Sequence, residues 1–489
     1  MRYTSTRNRT ISCTFEEAIC SGYAPDGGLF VPETLPAVSV ATLKEWAKLD
    51  FAQLAQTVLR LFVSESEVSA QELSQIVTYE GFAPPVIPIQ RVGSLYVAEL
   101  FHGPTFCFKD LGMRAVVRFL SLFATKRRQR MTLLVSTTGD TGPAAVQAVS
   151  DARNPWLTIL VHYPAGQISS FQRKQLTTTD SPHVHVVAFE GGGDDMDRPI
   201  KNMLKSAPSS SHWTGVNSYN IGRPLMQMIH YIWTYLRVAG QEEWEIGQQT
   251  LDIILPTGAM GNLAGGYMAK KMGIPLGKLC SGVNVNDITH RVMQTGAFHS
   301  SPFMLKTLSE AINIQIPYNF ERILFYLTEQ DDQLVREWMT QVETTQKLDL
   351  STEWLEQLQQ VFDSARISDK AMCTTTRQVW KEHHYLMDPH TAVAMGAAET
   401  LGYSGKIAAV FATASPCKFE ESVTMAVGKD TWDMFAQSDQ FPATARAMLL
   451  RNERPPTIYR NDRSLSLYEN QRKWEEQARQ IIATFENDA

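Results

Sequence analysis

Cysteine is scarce in this sequence, and the few thiols are widely spaced. Six of the 489 residues are cysteine, and no two of them form a CxxC pair. Disulfide frameworks and zinc sites need cysteines at close, regular spacing, whereas scattered thiols are typical of a reducing compartment. The sequence therefore predicts a cytoplasmic protein without a metal site.

Long apolar runs and an excess of positive charge are also missing. No stretch reaches the roughly 18 apolar residues of a membrane-spanning helix, and the charged start MRYTSTRNRT is not followed by the apolar core of a signal peptide. The 45 basic and 51 acidic residues are mixed along the chain and give a net charge of -6. We therefore expect no membrane insertion, no secretion and no nucleic-acid partner.

What is present is the composition of an ordinary globular protein built from several packed units. Hydrophobic residues make up 44% of the chain and charged residues 20%. A chain of 489 residues exceeds what one hydrophobic core usually organises. Residues 41–80 show helical periodicity that ends near Pro84 and Pro85, which predicts a small N-terminal domain over residues 1–85.

Beyond this region, short apolar runs alternate with helix-length segments. The runs occupy residues 132–135, 157–161, 184–188, 251–255 and 407–412. This alternation predicts an α/β fold with mainly parallel sheets, which we assign to two interleaved domains over residues 86–430. Residues 290–385 are again helical in pattern. The charged tail, residues 431–489, predicts a helical packing or oligomer element, in a monomer or a homodimer.

The first segment that can carry chemistry is ELFHGPTFCFKDLGMRA, residues 99–115. Lys109 lies there among aromatic and apolar side chains, and burial of an amine favours its neutral form. A neutral lysine, placed rigidly at the start of a helix, forms a Schiff base with an aldehyde cofactor. The alternative, frequent for any single lysine, is a solvated side chain paired with Asp110 or Glu99.

The second segment is LLVSTTGDTGPAAVQAV, residues 133–149, in which an apolar strand runs into a turn of small residues and then a helix. Such a turn presents backbone N–H groups and hydroxyls to an anion, which predicts a substrate-carboxylate site. A plain helix-capping turn is the alternative. The residues of this predicted substrate site are Ser136, Thr137, Thr138, Asp140 and Thr141.

The third segment is IILPTGAMGNLAGGYMAKKMG, residues 253–273, which repeats the order of strand, glycine-rich turn and helix. It contains neither GxGxxG nor GxxxxGK[ST], so dinucleotide and P-loop interpretations lose their main support. A cofactor with a single phosphate fits better. The predicted phosphate cradle comprises Thr257, Gly258, Ala259, Met260, Gly261 and Asn262.

Two further strand-and-turn segments follow, YLMDPHTAVAMGAA at residues 385–398 and AAVFATASPCKFEESV at residues 408–423. In the second, Thr413 or Ser415 is placed to face a ring nitrogen, where a neutral hydroxyl does not enforce protonation as a carboxylate would. For an isolated threonine, turn capping is the more frequent role. His390 in the first segment is interpreted as a hydrogen-bonded histidine at a helix start rather than as a catalytic group.

Together these segments resemble threonine synthase and threonine-synthase-like proteins. The resemblance is carried over residues 1–425, in the family's order, by GYAPDGGLFVPE, FHGPTFCFKD, TTGDTG, PTGAMGNLAGGY, NVNDI, INIQIPYNFER, DPHTAVA and TASPCKF. It implies fold type II of the pyridoxal-phosphate enzymes, like the tryptophan synthase β subunit, with two α/β domains around a cofactor cleft. It also implies that Lys109 binds pyridoxal 5'-phosphate covalently, that residues 258–262 hold its phosphate and that Thr413 faces the pyridine nitrogen.

The resemblance further implies a substrate site in NSYNIGRPLMQ, where Asn220 and Arg223 match family positions and the arginine clamps a phosphate or carboxylate. The implied activity is elimination or replacement on a γ-substituted amino acid, with conversion of O-phosphohomoserine to threonine and phosphate as the first candidate.

Four motifs depart from the family pattern. The family's PKGK reads PAGQ, with Ala165 and Gln167 in place of lysines, and its MDI reads INI at residues 312–314. Its SGDTG reads TGDTG, with Thr138 in place of the serine, and its TAHPAKF has Ser415 in place of histidine. The lysine losses leave open a phospho-lyase that releases 2-oxobutanoate, or a γ-replacement enzyme with another leaving group or nucleophile. A non-catalytic binding protein is the alternative from another class, and the retained lysine and glycine loop argue against it.

Overall fold

The computed structural model describes residues 1–207, 212–301 and 303–487. Its N-terminal region combines a small antiparallel sheet, in the order β2-β1-β3, with short helices. The helices predicted over residues 41–80 are present, and the sheet is an addition that the sequence pattern did not predict. The elements of this region are β1 (Tyr3–Ser5), β2 (Asn8–Cys13), α1 (Phe15–Ser21), β3 (Phe30–Pro32), α2 (Val40–Trp46), α3 (Phe51–Arg60) and α4 (Ala70–Ile76).

The next part of the chain alternates strands and helices as predicted. Strand β6 reads MTLLVS and is buried throughout, as expected for a parallel strand covered on both faces. The elements are β4 (Ile89–Val92), β5 (Leu95–Glu99), α5 (Lys109–Arg127), β6 (Met131–Ser136), α6 (Thr141–Ala152), β7 (Leu157–Pro164), α7 (Ser170–Thr177), β8 (Val184–Phe189), α8 (Asp197–Lys205), β9 (His212–Gly215) and α9 (Gly222–Gln241).

The following part of the chain contains more β-strands than its helical sequence pattern predicted. Strand β14, with charged residues in FDSAR, lacks the apolar run that announces the other strands, yet it pairs in parallel with β11. The elements are β10 (Leu251–Pro256), α10 (Gly261–Lys271), β11 (Leu276–Val283), α11 (Ile288–Thr295), β12 (Ala297–His299), α12 (Phe320–Leu327), α13 (Asp332–Thr345), β13 (Lys347–Asp349), α14 (Thr352–Val361), β14 (Phe362–Arg366), α15 (Asp369–His383), α16 (Pro389–Thr400), β15 (Ala408–Ala412) and α17 (Glu420–Val427).

The C-terminal stretch is not helical alone. Its strand β16 adds in parallel to the edge strand β8, so the tail extends a sheet of the preceding region. Its last helix packs against α8 and buries Trp474, Ala478 and Ile482. The elements are α18 (Lys429–Gln437), α19 (Ala443–Leu449), β16 (Thr457–Tyr459) and α20 (Leu467–Asn487).

Two large sheets position the site. The first has the order β14-β11-β10-β15-β5-β4 and is parallel except for its edge strand β4. The second has the order β16-β8-β7-β6-β9 and is parallel throughout. Loops at the carboxyl ends of parallel strands build ligand sites. Among the described residues, no helix is both long enough and apolar enough to span a membrane.

Candidate active site

The carboxyl ends of β6, β10 and β15 and the first turn of α5 line one cavity. The turns after these strands are the segments that the sequence predicts as substrate and cofactor sites. Every residue of the two predicted sites lines this cavity except Asn220, so segments far apart in sequence converge as expected. The predicted residues that line the cavity are Lys109, Ser136, Thr137, Thr138, Asp140, Thr141, Arg223, Thr257, Gly258, Ala259, Met260, Gly261, Asn262 and Thr413.

Lys109 begins α5 and extends its amine into the cavity. Only 13% of the side chain is exposed, and its Nζ lies 3.6 Å from Asp140 Oδ2. Burial lowers the pKa of the Lys109 ammonium, although the Asp140 carboxylate opposes the shift. The amine is thereby closer to the neutral form in which a lysine is a nucleophile and a base. Its partner is Asp140, and neither Asp110 nor Glu99 fills that role.

Asp140 is shared between two lysines. Lys418 Nζ donates to Asp140 Oδ1 at 2.6 Å, and Gln172 Nε2 donates to the same oxygen at 2.9 Å. Burial by itself raises the pKa of Asp140, but Lys418 and Lys109 together hold it below its ordinary value. The same contact holds the pKa of Lys418 above its usual range despite burial. A fixed negative charge therefore lies beside the Lys109 amine.

The glycine-rich turn after β10 leads directly into α10 and exposes the amino end of that helix to the cavity. Met260 adopts a left-handed conformation, with φ at 58°. Gly261 has no room for a side chain, because an added Cβ would lie 2.7 Å from Ser218 Cβ. Free N–H groups at a helix amino end bind anions, so this turn fits a phosphate group.

Asn262 adds a side-chain donor to this turn. Its Oδ1 accepts a hydrogen bond from His230 Nε2 at 2.8 Å, whereas its buried Nδ2 has no partner among the described residues. Burial lowers the pKa of His230 to about 3, so the imidazole is neutral and bonds as a fixed tautomer. An unpaired buried donor in a cavity wall indicates a ligand acceptor.

The turn after β15 passes beside the lysine. Phe108 donates its backbone N–H to Thr413 O at 2.8 Å, and Cys107 pairs with Ala414 in an isolated bridge. These contacts bring Thr413, which lines the cavity, next to the start of α5. Ser415 instead accepts a hydrogen bond from Cys417 N and does not line the cavity.

The hydroxyl-rich turn after β6 is held by its own side chain. Thr137 Oγ1 accepts hydrogen bonds from Gly139 N at 3.1 Å and Gly142 N at 2.9 Å, so this hydroxyl is engaged within the turn. Thr138 and Thr141 line the cavity without any described side-chain hydrogen bond. The helix-capping alternative accounts for Thr137, while Ser136, Thr138 and Thr141 line the cavity.

Two residues predicted for the substrate site differ in where they point. Arg223 is buried in the cavity wall, donates to Val216 O at 2.9 Å and leaves its Nε without a partner in the described chain. Burial lowers the pKa of the Arg223 guanidinium to about 10. Asn220 does not reach the cavity, because its amide donates to Ile19 O and Gly215 O and accepts from Gly222 N. Its role in this structure is to tie the start of α9 to the N-terminal region.

Several cavity residues escaped the sequence analysis. The loop between β8 and α8 contributes Gly193 and Asp194, the first residue of α8 contributes Asp197, and Gln227 and Tyr318 also line the cavity. Burial raises the pKa of Asp194 to about 7, and burial together with the nearby Asp194 carboxylate raises the pKa of Asp197 well above its ordinary value. The sequence contains a pattern that could have indicated this loop, because GGGDDMD follows the carboxyl end of a predicted strand, where ligand sites form.

His390 lies in the cavity wall as well, in the arrangement expected of a structural histidine. Its Nδ1 is 2.7 Å from Asp388 Oδ1, and its Nε2 accepts a hydrogen bond from Ala311 N at 3.1 Å. Asp388 also caps the start of α16. The imidazole thus connects α16 to the segment that begins at the 3₁₀ turn Glu310–Ile312.

Comparison with known proteins agrees with this geometry. Residues 2–79 match the family model described as the threonine synthase N terminus, and residues 77–411 match that of the pyridoxal-phosphate dependent enzymes. Threonine synthase-like 2 of Homo sapiens is 38% identical over 401 residues, 81% of this chain and 82% of that protein. Threonine synthase of Pseudomonas aeruginosa is 32% identical over 461 residues, 93% and 96% of the two chains. The chain belongs to the threonine synthase family.

Solved structures confirm the predicted fold. The threonine synthase of Brucella melitensis with bound pyridoxal phosphate superposes with a TM-score of 0.84 at 29% identity, covering 96% of this chain and 99% of that one. The yeast threonine synthase gives a TM-score of 0.83 at 28% identity, covering 98% and 99%. This threonine synthase family member is therefore a pyridoxal-phosphate-dependent lyase of fold type II.

The cavity of this family member fits pyridoxal phosphate on its own evidence. A buried amine at Lys109 suits an aldehyde, and the open amino end of α10 with the unpaired Asn262 Nδ2 suits a phosphate. Thr413 lines the same cavity.

Proposed function

We propose that this protein acts on a γ-substituted amino acid, and that O-phosphohomoserine is converted to threonine and phosphate. The observation that carries the proposal is the convergence of the Lys109 amine, the phosphate-type turn at residues 257–262 and the hydroxyl turn at residues 136–141 on one cavity. Membership of the threonine synthase family supports elimination or replacement chemistry at such a cavity.

Each of these cavity residues has a separate role in the proposed reaction. Bound pyridoxal phosphate supplies an aldehyde for attachment to amines and a ring that withdraws electrons from the α carbon. Lys109 would hold this group, and its Nζ would accept a proton from the substrate α carbon. The amino end of α10 and Asn262 would bind the phosphate, and Thr413 would lie beside the ring nitrogen.

Asp140 stabilises the positive charge that Lys109 gains in this proton transfer, and Lys418 pairs with Asp140. When Lys109 carries the proton as an ammonium, the Asp140 carboxylate 3.6 Å away stabilises it. Lys418 pairs with the same carboxylate throughout, so Asp140 is never an unpaired buried charge. The substrate carboxylate is bound by the N–H groups and hydroxyls of the turn at residues 136–141, and Arg223 supplies a positive charge nearby.

The overall reaction consumes one water. The Cγ–O bond of O-phosphohomoserine breaks and phosphate leaves, and water then adds its hydroxyl at the β carbon to give threonine. A second candidate also consumes one water but yields 2-oxobutanoate, ammonia and phosphate. The 38% identity to a threonine synthase-like 2 protein and the absence of lysine at Ala165 and Gln167 favour keeping this candidate, or a γ-replacement with another leaving group or nucleophile, beside the first.

The six cysteines are unpaired in the structure, which supports a reducing, cytoplasmic location. A monomer or a homodimer remains our proposal for the assembly, and light scattering of the purified protein measures it directly.

The test is to purify the protein with pyridoxal phosphate, record its visible absorbance, and add O-phosphohomoserine while phosphate and organic products are measured. Lys109→Ala removes the proposed base, and Lys48→Ala, an exposed lysine with 68% of its side chain accessible, is the matched control. Phosphate with threonine, lost only in Lys109→Ala, supports the first candidate. Phosphate with 2-oxobutanoate supports the second.

Two other results redirect the proposal. A visible band that depends on Lys109, without phosphate release, moves the search to other γ-substituents. No band in the wild-type protein refutes the assignment of Lys109.

A further inference from the structure

The loop between β8 and α8 forms one side of the cavity, and we call its residues 191–195 the GGGDD loop. Gly193 and Asp194 of this loop line the cavity. Gly193 packs closely on the hydroxyl turn, since an added Cβ would lie 2.7 Å from Thr138 Cγ2. Asp194 Oδ2 accepts a hydrogen bond from Gln315 N at 2.9 Å. The loop therefore connects the hydroxyl turn to the segment that follows the 3₁₀ turn.

The C-terminal tail holds the beginning of this loop. The backbone N–H of Glu190, just before the loop, donates to Tyr459 O of β16 at 2.9 Å. Trp474 of α20 is fully buried against Gly191, where an added Cβ would lie 2.8 Å from Trp474 Cη2. Gln167 Nε2 donates to Gly191 O at 2.6 Å from the opposite side. The first residues of the loop are thus fixed by contacts remote in sequence.

Gln471 of α20 holds the end of the loop. Only 7% of this residue is exposed, and its Nε2 donates to Asp195 O at 2.8 Å. Inside a helix, this carbonyl would accept from the N–H four residues later, but that residue is Pro199, which has none. Asp195 in turn closes the loop, because its Oδ2 accepts from Gly192 N at 2.6 Å and its N–H donates to Gly192 O at 3.1 Å. Gln471 therefore supplies the donor that the chain itself lacks at this point.

We propose that Gln471 is a positioning residue for substrate binding, which acts through Asp195 to hold the GGGDD loop against the hydroxyl turn. The inference rests on the proposed function, because the hydroxyl turn is the site to which we assign the substrate carboxylate. It gives the tail a role at the active site, although Gln471 lies beyond residue 411, where the match to the family model ends. The cofactor turn at residues 257–262 follows a strand of the other large sheet and should not depend on this contact.

Gln471→Glu tests this role because it exchanges the amide nitrogen for an oxygen and keeps the shape of the side chain. A carboxylate oxygen then faces Asp195 O, and since both are acceptors they repel and the loop moves away from the hydroxyl turn. Asn470→Asp is the matched control, because it makes the same change at the neighbouring residue of α20. The Nδ2 of Asn470, also buried, donates to Asp462 O at 3.0 Å and Ser466 O at 3.2 Å, both within the tail.

The order of the loop is measured by amide hydrogen exchange of the holoenzyme, in peptides that cover residues 190–196. Gln471→Glu should speed exchange in these peptides by at least about fivefold, as expected for the loss of one hydrogen bond. Asn470→Asp should change it by less than about twofold. Its effect should instead fall on residues 462–466.

Substrate binding is measured with L-2-aminobutyrate, which has a carboxylate and a four-carbon chain but no γ-substituent to eliminate. Its dissociation constant is obtained from the change in visible absorbance of the holoenzyme. Gln471→Glu should raise this constant at least about threefold, because the wall of the carboxylate site is displaced. The dissociation constant of pyridoxal phosphate should stay within about twofold of the wild-type value, whereas a merely structural loss would weaken both ligands. Asn470→Asp should leave both constants within about twofold of the wild type.

The inference is overturned if Gln471→Glu leaves either the loop exchange or the 2-aminobutyrate constant unchanged, if it weakens the cofactor equally, or if Asn470→Asp has the same effects. Failure of the proposed function is recognised separately, because the wild-type protein then shows no Lys109-dependent absorbance. The hydrogen exchange of the loop still decides in that case whether Gln471 holds it in place.

Discussion

Asp140 is the common counter-ion of two buried lysines, with Lys418 Nζ at 2.6 Å and Lys109 Nζ at 3.6 Å from its oxygens. Asp140→Asn preserves the shape of the side chain and removes its charge. The Lys109 amine can become neutral, because burial already lowers its pKa, so the penalty falls on Lys418. Loss of one partner from a buried ion pair costs about 3–5 kcal/mol, and we expect that loss in the free energy of unfolding.

A second substitution distinguishes the cost of the unpaired Lys418 ammonium from the other effects of Asp140→Asn. Lys418→Met in the Asp140→Asn background removes the unpaired ammonium and keeps a side chain of similar length. Replacement of a complete buried ion pair by apolar groups is often neutral. We therefore expect the double variant to recover most of the lost stability, to within about 1–2 kcal/mol of the wild type.

The assay is urea unfolding of the cofactor-free protein at pH 7, followed by far-ultraviolet circular dichroism. Asp140 has a folded-state pKa below its ordinary value, so its stabilising contribution is complete at neutral pH and disappears as the pH falls through the folded-state pKa. The difference between wild type and Asp140→Asn should accordingly shrink in strong acid. A loss below about 1 kcal/mol for Asp140→Asn, or a double variant less stable than the single one, would show that this ion pair does not dominate the local energetics.

Three further predictions concern the surroundings of the site. Glu321→Gln removes the carboxylate that accepts hydrogen bonds from Arg7 at 2.9 and 2.8 Å, while Arg7 keeps Glu343 Oε1 at 3.0 Å, so stability should fall by about 1–3 kcal/mol in the same urea assay; an unchanged midpoint contradicts this. Gly261→Ala places a Cβ 2.7 Å from Ser218 Cβ and should weaken pyridoxal phosphate binding at least about tenfold in an absorbance titration; normal affinity would show that the turn can shift. Burial raises the pKa of Glu310 to about 8, so the folded state resists its ionisation between its ordinary pKa and pH 8. Glu310→Gln should therefore raise the thermal midpoint more at pH 9 than at pH 5, and equal shifts at both pH values contradict the raised pKa.

Local patterns were sufficient to predict the main features of this chain. At residues 133–149 and 253–273 a strand is followed by a turn of small residues and then by a helix. This order depends on residues that are close in sequence, so it can be predicted without tertiary information. Parallel strands then bring their carboxyl-end turns to one edge, and the two segments meet at the cavity as predicted. The burial that favours a neutral Lys109 follows from the apolar residues around it in sequence.

Other features depend on which side a residue faces and on partners that are remote in sequence. Asn220 and Arg223 are three residues apart in one motif, yet only Arg223 lines the cavity, because the backbone of Ile19 satisfies the Asn220 amide. No spacing rule pairs Lys418 with Asp140 across 278 residues.

The C-terminal strand β16 and the three hydrogen bonds that Asn313 Oδ1 accepts were likewise decided by tertiary structure. A three-residue strand has too little apolar pattern to be detected, and it forms because the edge of β8 supplies unpaired backbone groups. The sequence by itself determined the fold class and predicted that Lys109 and the glycine-rich turn at residues 257–262 line one cavity, because local propensity and burial dictate these features. Only the tertiary structure decided the partner of each buried polar group, because a hydrogen bond or an ion pair depends on the position of both its ends.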